Sequence, residues 1–178
     1  MSENKCALIL LGAGGSARMH EPKQLLPWKN EKNLLEHACL TCLASQAVWN
    51  VFVLGARAQD ILQASPWLRE GLRQNNGPVE HIAKNKRFSL AINTDWASGM
   101  ASSLKVGLEK LLNLFPQEDD LDCAAICLAD LPLLKAETIN NIIKANHNLT
   151  QAEKRRTIIV PTWQGKRGHP VIFGRDLW

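Results

Sequence analysis

Residues 6 to 27, CALILLGAGGSARMHEPKQLLP, constrain this chain more than any other stretch. Cys6–Leu11 is a continuous apolar run closed by glycine, short for a helix and suited to a strand buried on both faces. Gly12, Gly14, Gly15 and Ser16 follow at once. Backbone without Cβ atoms can turn its N–H groups toward an anion and let it come close. Arg18 and Lys23 then place two cations beside the turn. Together these features predict a polyphosphate cradle at the end of a buried strand.

Two other glycine-loop designs fit less well. A Walker A loop needs Gly-x-x-x-x-Gly-Lys-Ser/Thr, and no register supplies it. The dinucleotide fingerprint Gly-x-Gly-x-x-Gly/Ala does match Gly12, Gly14 and Ala17. It should open a long helix, however, and Pro22 and Pro27 prevent one. It also expects an acid about 20 residues on, at the end of a second strand. Glu31 and Glu36 fall instead in a loop and a helix.

The remaining chain alternates strand and helix signals. A helix is expected over 33–46, a strand over Val48–Leu54, and a helix over 57–74 interrupted near Pro66. Asn75–Pro78 is a turn, with short strands at 81–83 and Ser89–Asn93. Residues 99–115 form the clearest amphipathic helix, with 100, 104, 108, 111, 112 and 115 on its apolar face. Cys123–Leu128 is a second buried strand, and Glu137–His147 a helix with Ile139, Ile142 and Ile143 inward. Thr157–Pro161 and Val171–Phe173 complete the strands. Such alternation argues for a mostly parallel sheet with helices on both faces, in one domain over 1–178. No apolar run approaches the roughly 20 residues of a membrane span. Met1–Lys5 leads straight into the first strand, so no signal peptide is expected. Five cysteines, an odd number, point to reduced thiols and a cytoplasmic location. The net charge of +4 is too modest for a nucleic-acid partner, and Lys154-Arg-Arg156 reads as a solvated loop. Cys39 and Cys42 would lie mid-helix, the wrong place for a redox pair. Trp28, Trp49, Trp67 and Trp163 read as packing residues.

Three further stretches carry chemistry. In Ala124–Pro132 an apolar strand delivers one carboxylate, Asp130, suited to a divalent cation that also holds phosphate oxygens; the plainer alternative is a turn cap before Pro132. Asn93–Leu104 gathers glycine and hydroxyls at a helix start, where free N–H groups favour an anion and Ser98 could cap the helix. In Gly165–Phe173, Arg167 could grip a phosphate with two N–H groups and His169 could donate to the same ligand.

Taken together these stretches resemble a family. Leu11–Lys23 is similar to the nucleotidyltransferase signature Leu-Ala-Ala/Gly-Gly-x-Ser-x-Arg-Met-Gly-x-x-Lys, and Pro-Lys-Gln-Leu-Leu-Pro resembles the molybdenum cofactor cytidylyltransferase branch. Asp130 falls in a Leu-x-Asp-x-Pro-like metal motif. Asn93–Leu104 resembles Asn-Pro-x-Trp-x-x-Gly-Met-x-x-Ser-Leu, and Gly165–Val171 resembles Gly-x-Arg-Gly-His-Pro-Val. The departures are Gly12 for Ala, His20 for Gly, Thr94 for Pro and Leu131 for Gln. The resemblance implies an α/β, Rossmann-like three-layer nucleotidyltransferase fold with a mostly parallel central sheet. It implies transfer of CMP from CTP to molybdenum-bound molybdopterin, with Mg2+ as cofactor. Leu11, Ala13, Gly14, Gly15, Ser16, Arg18 and Lys23 would bind nucleotide, with Arg18, Lys23 and Asp130 catalytic and Asp130 on the metal. Asn93, Gly99, Ser103, Arg167, Gly168 and His169 would bind substrate. Ala13 favours the cytidylyl over the guanylyl branch. A molybdenum hydroxylase apoenzyme would be a partner, and neither membrane nor nucleic acid would be. Family members run past Gly174–Trp178 and supply a second Asp, so the chain is expected either to be truncated there or to lack that ligand. GTP, a sugar-phosphate acceptor, or a non-catalytic nucleotide- or pterin-binding accessory role remain the alternatives.

Overall fold

The computed structural model describes residues 5–15, 22–29, 33–72 and 88–178. The strand and turn expected at 75–83, and Ser16, Arg18, His20 and Glu31, lie outside them. The elements are β1 (Cys6–Leu11), α1 (Leu34–Leu43), β2 (Asn50–Leu54), α2 (Ala58–Ala64), β3 (Phe88–Ile92), α3 (Met100–Leu114), β4 (Cys123–Leu128), α4 (Ala136–His147), α5 (Gln151–Arg156), β5 (Ile158–Ile159), β6 (Thr162–Trp163), β7 (Lys166–Arg167) and β8 (Val171–Gly174). Single 3-10 turns sit at Lys23–Leu25, Trp96–Ser98 and Arg175–Leu177, and a longer 3-10 helix at Pro66–Leu72.

Six strands form one sheet in the order β3-β2-β1-β4-β8-β5. β3, β2, β1 and β4 run parallel, while β8 is antiparallel to both β4 and β5. The sheet is therefore mostly parallel, with helices on both faces. β1 shows why its sequence has no polar face. Cys6, Leu8 and Leu10 enter a core with Leu35 and Cys39 of α1 and Ile139 and Ile143 of α4. Ala7, Ile9 and Leu11 enter the opposite core with Leu111 of α3. All five cysteines are reduced and buried. Burial pushes the Cys39 thiol up, as does the neighbouring Glu36 charge. No described helix is long and apolar enough to cross a membrane.

Several expectations are corrected. Of the apolar face expected for α3, Leu104, Leu108, Leu111 and Phe115 pack on the core, but Met100 and Leu112 are exposed, and Ser103 and Gly107 are buried beside Leu111. Gly107 sets that face: a Cβ there would sit 2.7 Å from Ile9 Cγ2, so the missing side chain lets the helix approach β1. Lys154-Arg-Arg156 is no solvated loop. It ends α5, which opens on a Thr150–Glu153 capping box and buries Lys154. Arg155 and Arg156 both reach Asp176. Trp163 is not a packing residue; it is 78% exposed on the β6–β7 hairpin, which the sequence reading missed. Ser98 does not cap α3, because Gly99 holds the N-cap position and the Ser98 hydroxyl donates to the Asp95 carbonyl.

Candidate active site at the β1–β4 crevice

β1 and β4 end together, with Leu11 opposite Leu128. From β1 the order steps to β2 on one side and to β4 on the other, the kind of switch that opens a ligand crevice beyond the carboxyl ends of parallel strands. A cavity of about 250 Å³ lies there. Leu11, Gly12, Ala13 and Gly14 line it along the loop, Lys23 and Asp130 at a charged end, and Trp96, Gly99, Met100 and Ser103 from the segment that starts α3.

Lys23 and Asp130 are 107 residues apart in sequence, yet Lys23 Nζ lies 2.6 Å from Asp130 Oδ2. The amine reaches the cavity because the chain folds back after the glycine loop, as Pro22 and Pro27 limit the helix to one 3-10 turn, Lys23–Leu25. The carboxylate is carried there by the all-apolar β4, whose continuation Ala129 donates its N–H to the Leu11 carbonyl at 3.0 Å. Both side chains keep solvent access, at 35% and 42% exposure, so the pair can exchange its mutual contact for a ligand's charges.

Gln24, to which the sequence reading gave no role, organises the loop. Its side chain is buried, and Nε2 donates to the carbonyls of Gly12 at 2.9 Å and Gly14 at 2.7 Å. The Ala13 carbonyl accepts from Ala56 N–H at 3.0 Å. In a planar trans peptide the N–H points opposite to the preceding C=O. Each held carbonyl thus turns the amide that follows it away from its own partner, the Ala13 and Gly15 N–H groups away from Gln24 and the Gly14 N–H away from Ala56. The signal was present in Pro-Lys-Gln, but its meaning needed the fold-back.

Trp96 is a second residue the reading missed as part of the site. It lies against Gly15 and Gly55 so closely that a Cβ on either would fall 2.6 Å from a Trp96 carbon. Asn93 is buried, donates to Ser102 Oγ at 2.8 Å and Ser103 Oγ at 2.9 Å, and accepts from Asp95 N–H. It does not line the cavity; it holds Ser103, which does.

Arg167, Gly168 and His169 are not among the residues lining the cavity. Arg167 is exposed on β7, Gly168 N–H donates to the Pro161 carbonyl, and His169 precedes a cis Pro170. Among the described residues no three His, Cys, Asp or Glu side chains converge as a metal cage. Among the described residues that line the cavity, Asp130 is the one carboxylate. That suits Mg2+, which keeps several waters and takes one or two carboxylates plus substrate phosphates.

Comparison with known proteins sharpens the picture. A model of the MobA-like NTP transferase domain matches residues 8–178. Nicotine blue oxidoreductase of Paenarthrobacter nicotinovorans is 27% identical over 177 residues, covering 95% of this chain and 71% of that protein. Among solved structures, Rv0371c of Mycobacterium tuberculosis H37Rv superposes with a TM-score of 0.67 at 20% identity, over 99% of this chain and 74% of that one. Mth528, a nucleotidyl transferase from Methanothermobacter, superposes with a TM-score of 0.65 at 18% identity, over 98% and 74%. These last two establish the shared α/β nucleotidyltransferase-like fold.

Proposed function

The chain belongs to the MobA-like NTP transferase domain family, and from that premise we propose that it transfers CMP from CTP to molybdenum-bound molybdopterin, releasing pyrophosphate. The observation that carries the reading is the Lys23–Asp130 pair at 2.6 Å, set at one end of a cavity floored by the glycine loop. One amine and one carboxylate at a loop of outward amides are what a transfer between phosphates needs.

The loop amides of Ala13, Gly14 and Gly15 donate hydrogen bonds to the triphosphate's oxygens, and Ser16 and Arg18, which follow in the sequence, serve the same phosphates. A terminal phosphate oxygen of the pterin attacks the α-phosphorus in line. A new P–O bond forms, the α–β P–O bond breaks, and pyrophosphate leaves with its electron pair. The protein forms no covalent bond; its residues position and neutralise. Lys23 neutralises charge at the α-phosphate once nucleotide draws it from Asp130. Asp130 is the residue that would hold Mg2+, which when bound screens the phosphate charges. Ser103, held by Asn93, and Gly99 line the nucleoside side. Arg167, Gly168 and His169 serve the acceptor's anionic end. Ala13, the position that separates the cytidylyl from the guanylyl branch in the resemblance, lines the cavity and supports CTP.

The test is transfer of labelled CMP from α-labelled CTP to molybdopterin in the presence of Mg2+. Lys23→Ala and Asp130→Asn are expected to lose transfer while melting as the wild type does. Full transfer by the Asp130 variant would remove the metal assignment, and equal transfer from GTP would move the chain to the guanylyl branch.

A second reading, a dinucleotide-binding oxidoreductase, has two observations behind it. Gly12-x-Gly14-x-x-Ala17 follows β1 directly, and the curated relative is an oxidoreductase. Against it, β2 ends at Leu54 and is followed by Gly55 and Ala56, with no acid for a ribose at that end. Titration with NADPH separates the two.

A further inference from the structure

Neither charged group of the site stands on a long regular element. Lys23 is in a one-turn 3-10 helix, and Asp130 in the turn that follows β4. Their spacing therefore depends on what holds those two connecting segments. Resting on the proposed function for its consequence, but not for its geometry, we infer that His37 is a positioning residue that sets the Lys23–Asp130 spacing.

His37 lies within α1, half-buried. Its Nε2 is 3.0 Å from the carbonyl oxygen of Pro132, two residues beyond Asp130. A carbonyl can only accept, so Nε2 carries the proton and donates it. On its other side the imidazole meets the Trp28 ring, with centroids 5.8 Å apart and planes tilted by 46°. Trp28 belongs to the Pro22–Lys29 segment that carries Lys23. That segment is tied to the start of α1 by Leu34 N–H donating to the Leu26 carbonyl at 2.9 Å. One imidazole thus touches both segments that supply the site's charges, and it does so from a rigid helix. The Asp130 turn has its own support from the Leu134 N–H to Leu131 carbonyl bond and from Leu131 and Leu134 lying beside Ala38 and Cys42 of α1. These contacts fix the turn's height over α1. The His37 bond is directional and fixes which way the turn faces.

The test needs no turnover. Acetylation of lysines by a soluble acylating reagent, read by mass spectrometry, reports how well Asp130 holds the Lys23 amine relative to the other lysines. His37→Phe keeps an aromatic ring against Trp28 but removes the donor. His37→Gln restores an N–H near the Nε2 position. Lys23 acetylation is expected to rise severalfold in His37→Phe and to stay near wild type in His37→Gln, with the other lysines unchanged in both. Should His37→Phe fail to fold, His37→Leu, which also lacks the donor, takes its place, with the same rise expected. A Lys23 rate that stays at wild type in the donor-less variant, or rises equally in His37→Gln, overturns the inference. Nucleotide assays on the same proteins separate this result from the functional reading. If wild type transfers CMP, His37→Phe lowers kcat more than it raises KM for CTP and His37→Gln recovers it. If wild type transfers nothing, the reading fails while the acetylation pattern still decides the role of His37.

Discussion

Gln24→Glu isolates the device that shapes the glycine loop. The side chain is 3% exposed, and its NH2 donates to two carbonyls at 2.9 and 2.7 Å. The substitution keeps the shape and replaces the donating nitrogen with oxygen. A neutral carboxyl can restore one of the two donations, and losing the other costs about 1 kcal/mol. An ionised carboxylate would instead face two carbonyl oxygens with almost no water, so folding raises its pKa above the ~4.3 of an exposed glutamate. A raised folded pKa means that the folded state keeps the proton after the unfolded chain has lost it. The variant is therefore least impaired below pH ~4 and loses up to about 1.4 kcal/mol per unit as pH rises toward the folded value. The expected deficit against wild type is about 1 kcal/mol at pH 4.5 and about 3–4 kcal/mol at pH 7. Urea unfolding of both proteins at the two pH values measures it, and CTP affinity at pH 7 should fall more than tenfold. The same deficit at both pH values would refute the claim that this amide holds the loop by donation.

Three other perturbations follow. Gly55→Ala would place a methyl 2.6 Å from Trp96 Cβ and 2.8 Å from Ala13 Cβ, neither of which is the end of a flexible chain; a thermal melt should show a loss of about 1–3 kcal/mol, with weaker nucleotide binding. The buried thiols should resist alkylation at pH 8 until urea is added, since contact with Cys127 and burial hold the Cys42 thiol up, and burial does the same for Cys39; rapid native labelling of either would contradict the packing. Although desolvation works against it, donation from Arg155 and Arg156 holds the Asp176 carboxyl below its ordinary value. A depressed pKa gives stability that is present above the unfolded value and is lost as pH falls through it, so Asp176→Asn should flatten the acid limb of a pH–stability curve below about pH 4.

What was legible followed from how each signal is written in the chain. β1 and β4 were readable to the residue because strands buried on both faces leave no polar position to blur the run. Asp130 could be named because its charge closely follows β4, and Lys23 because it is a cation shortly after the glycine turn that closes β1. The inward face of α3 was read correctly at Leu104, Leu108, Leu111 and Phe115 and wrongly at Met100 and Leu112, and its closest approach to the sheet, through Gly107 and Ser103, was missed because hydrophobicity does not mark those residues. Gly107 contributes by lacking atoms, and Ser103 is acceptable inside because Asn93 satisfies it. The direction of β8 was invisible, since an apolar run does not say which way it pairs. α5 was missed because its basic end looks solvated; the Asp176 partner that folds against it lies 20 residues on. Gln24 and His37 act across the chain on backbone carbonyls, which carry no mark in a sequence.

The central claim is that the cavity between the glycine loop and Asp130 takes CTP with a divalent cation. Calorimetric titration with CTP and with GTP, each with and without Mg2+, tests it most directly. The account predicts binding that prefers CTP, strengthens with Mg2+, and loses that Mg2+ dependence in Asp130→Asn. Absence of CTP binding, or binding that Mg2+ and the Asp130 substitution leave unchanged, would contradict it.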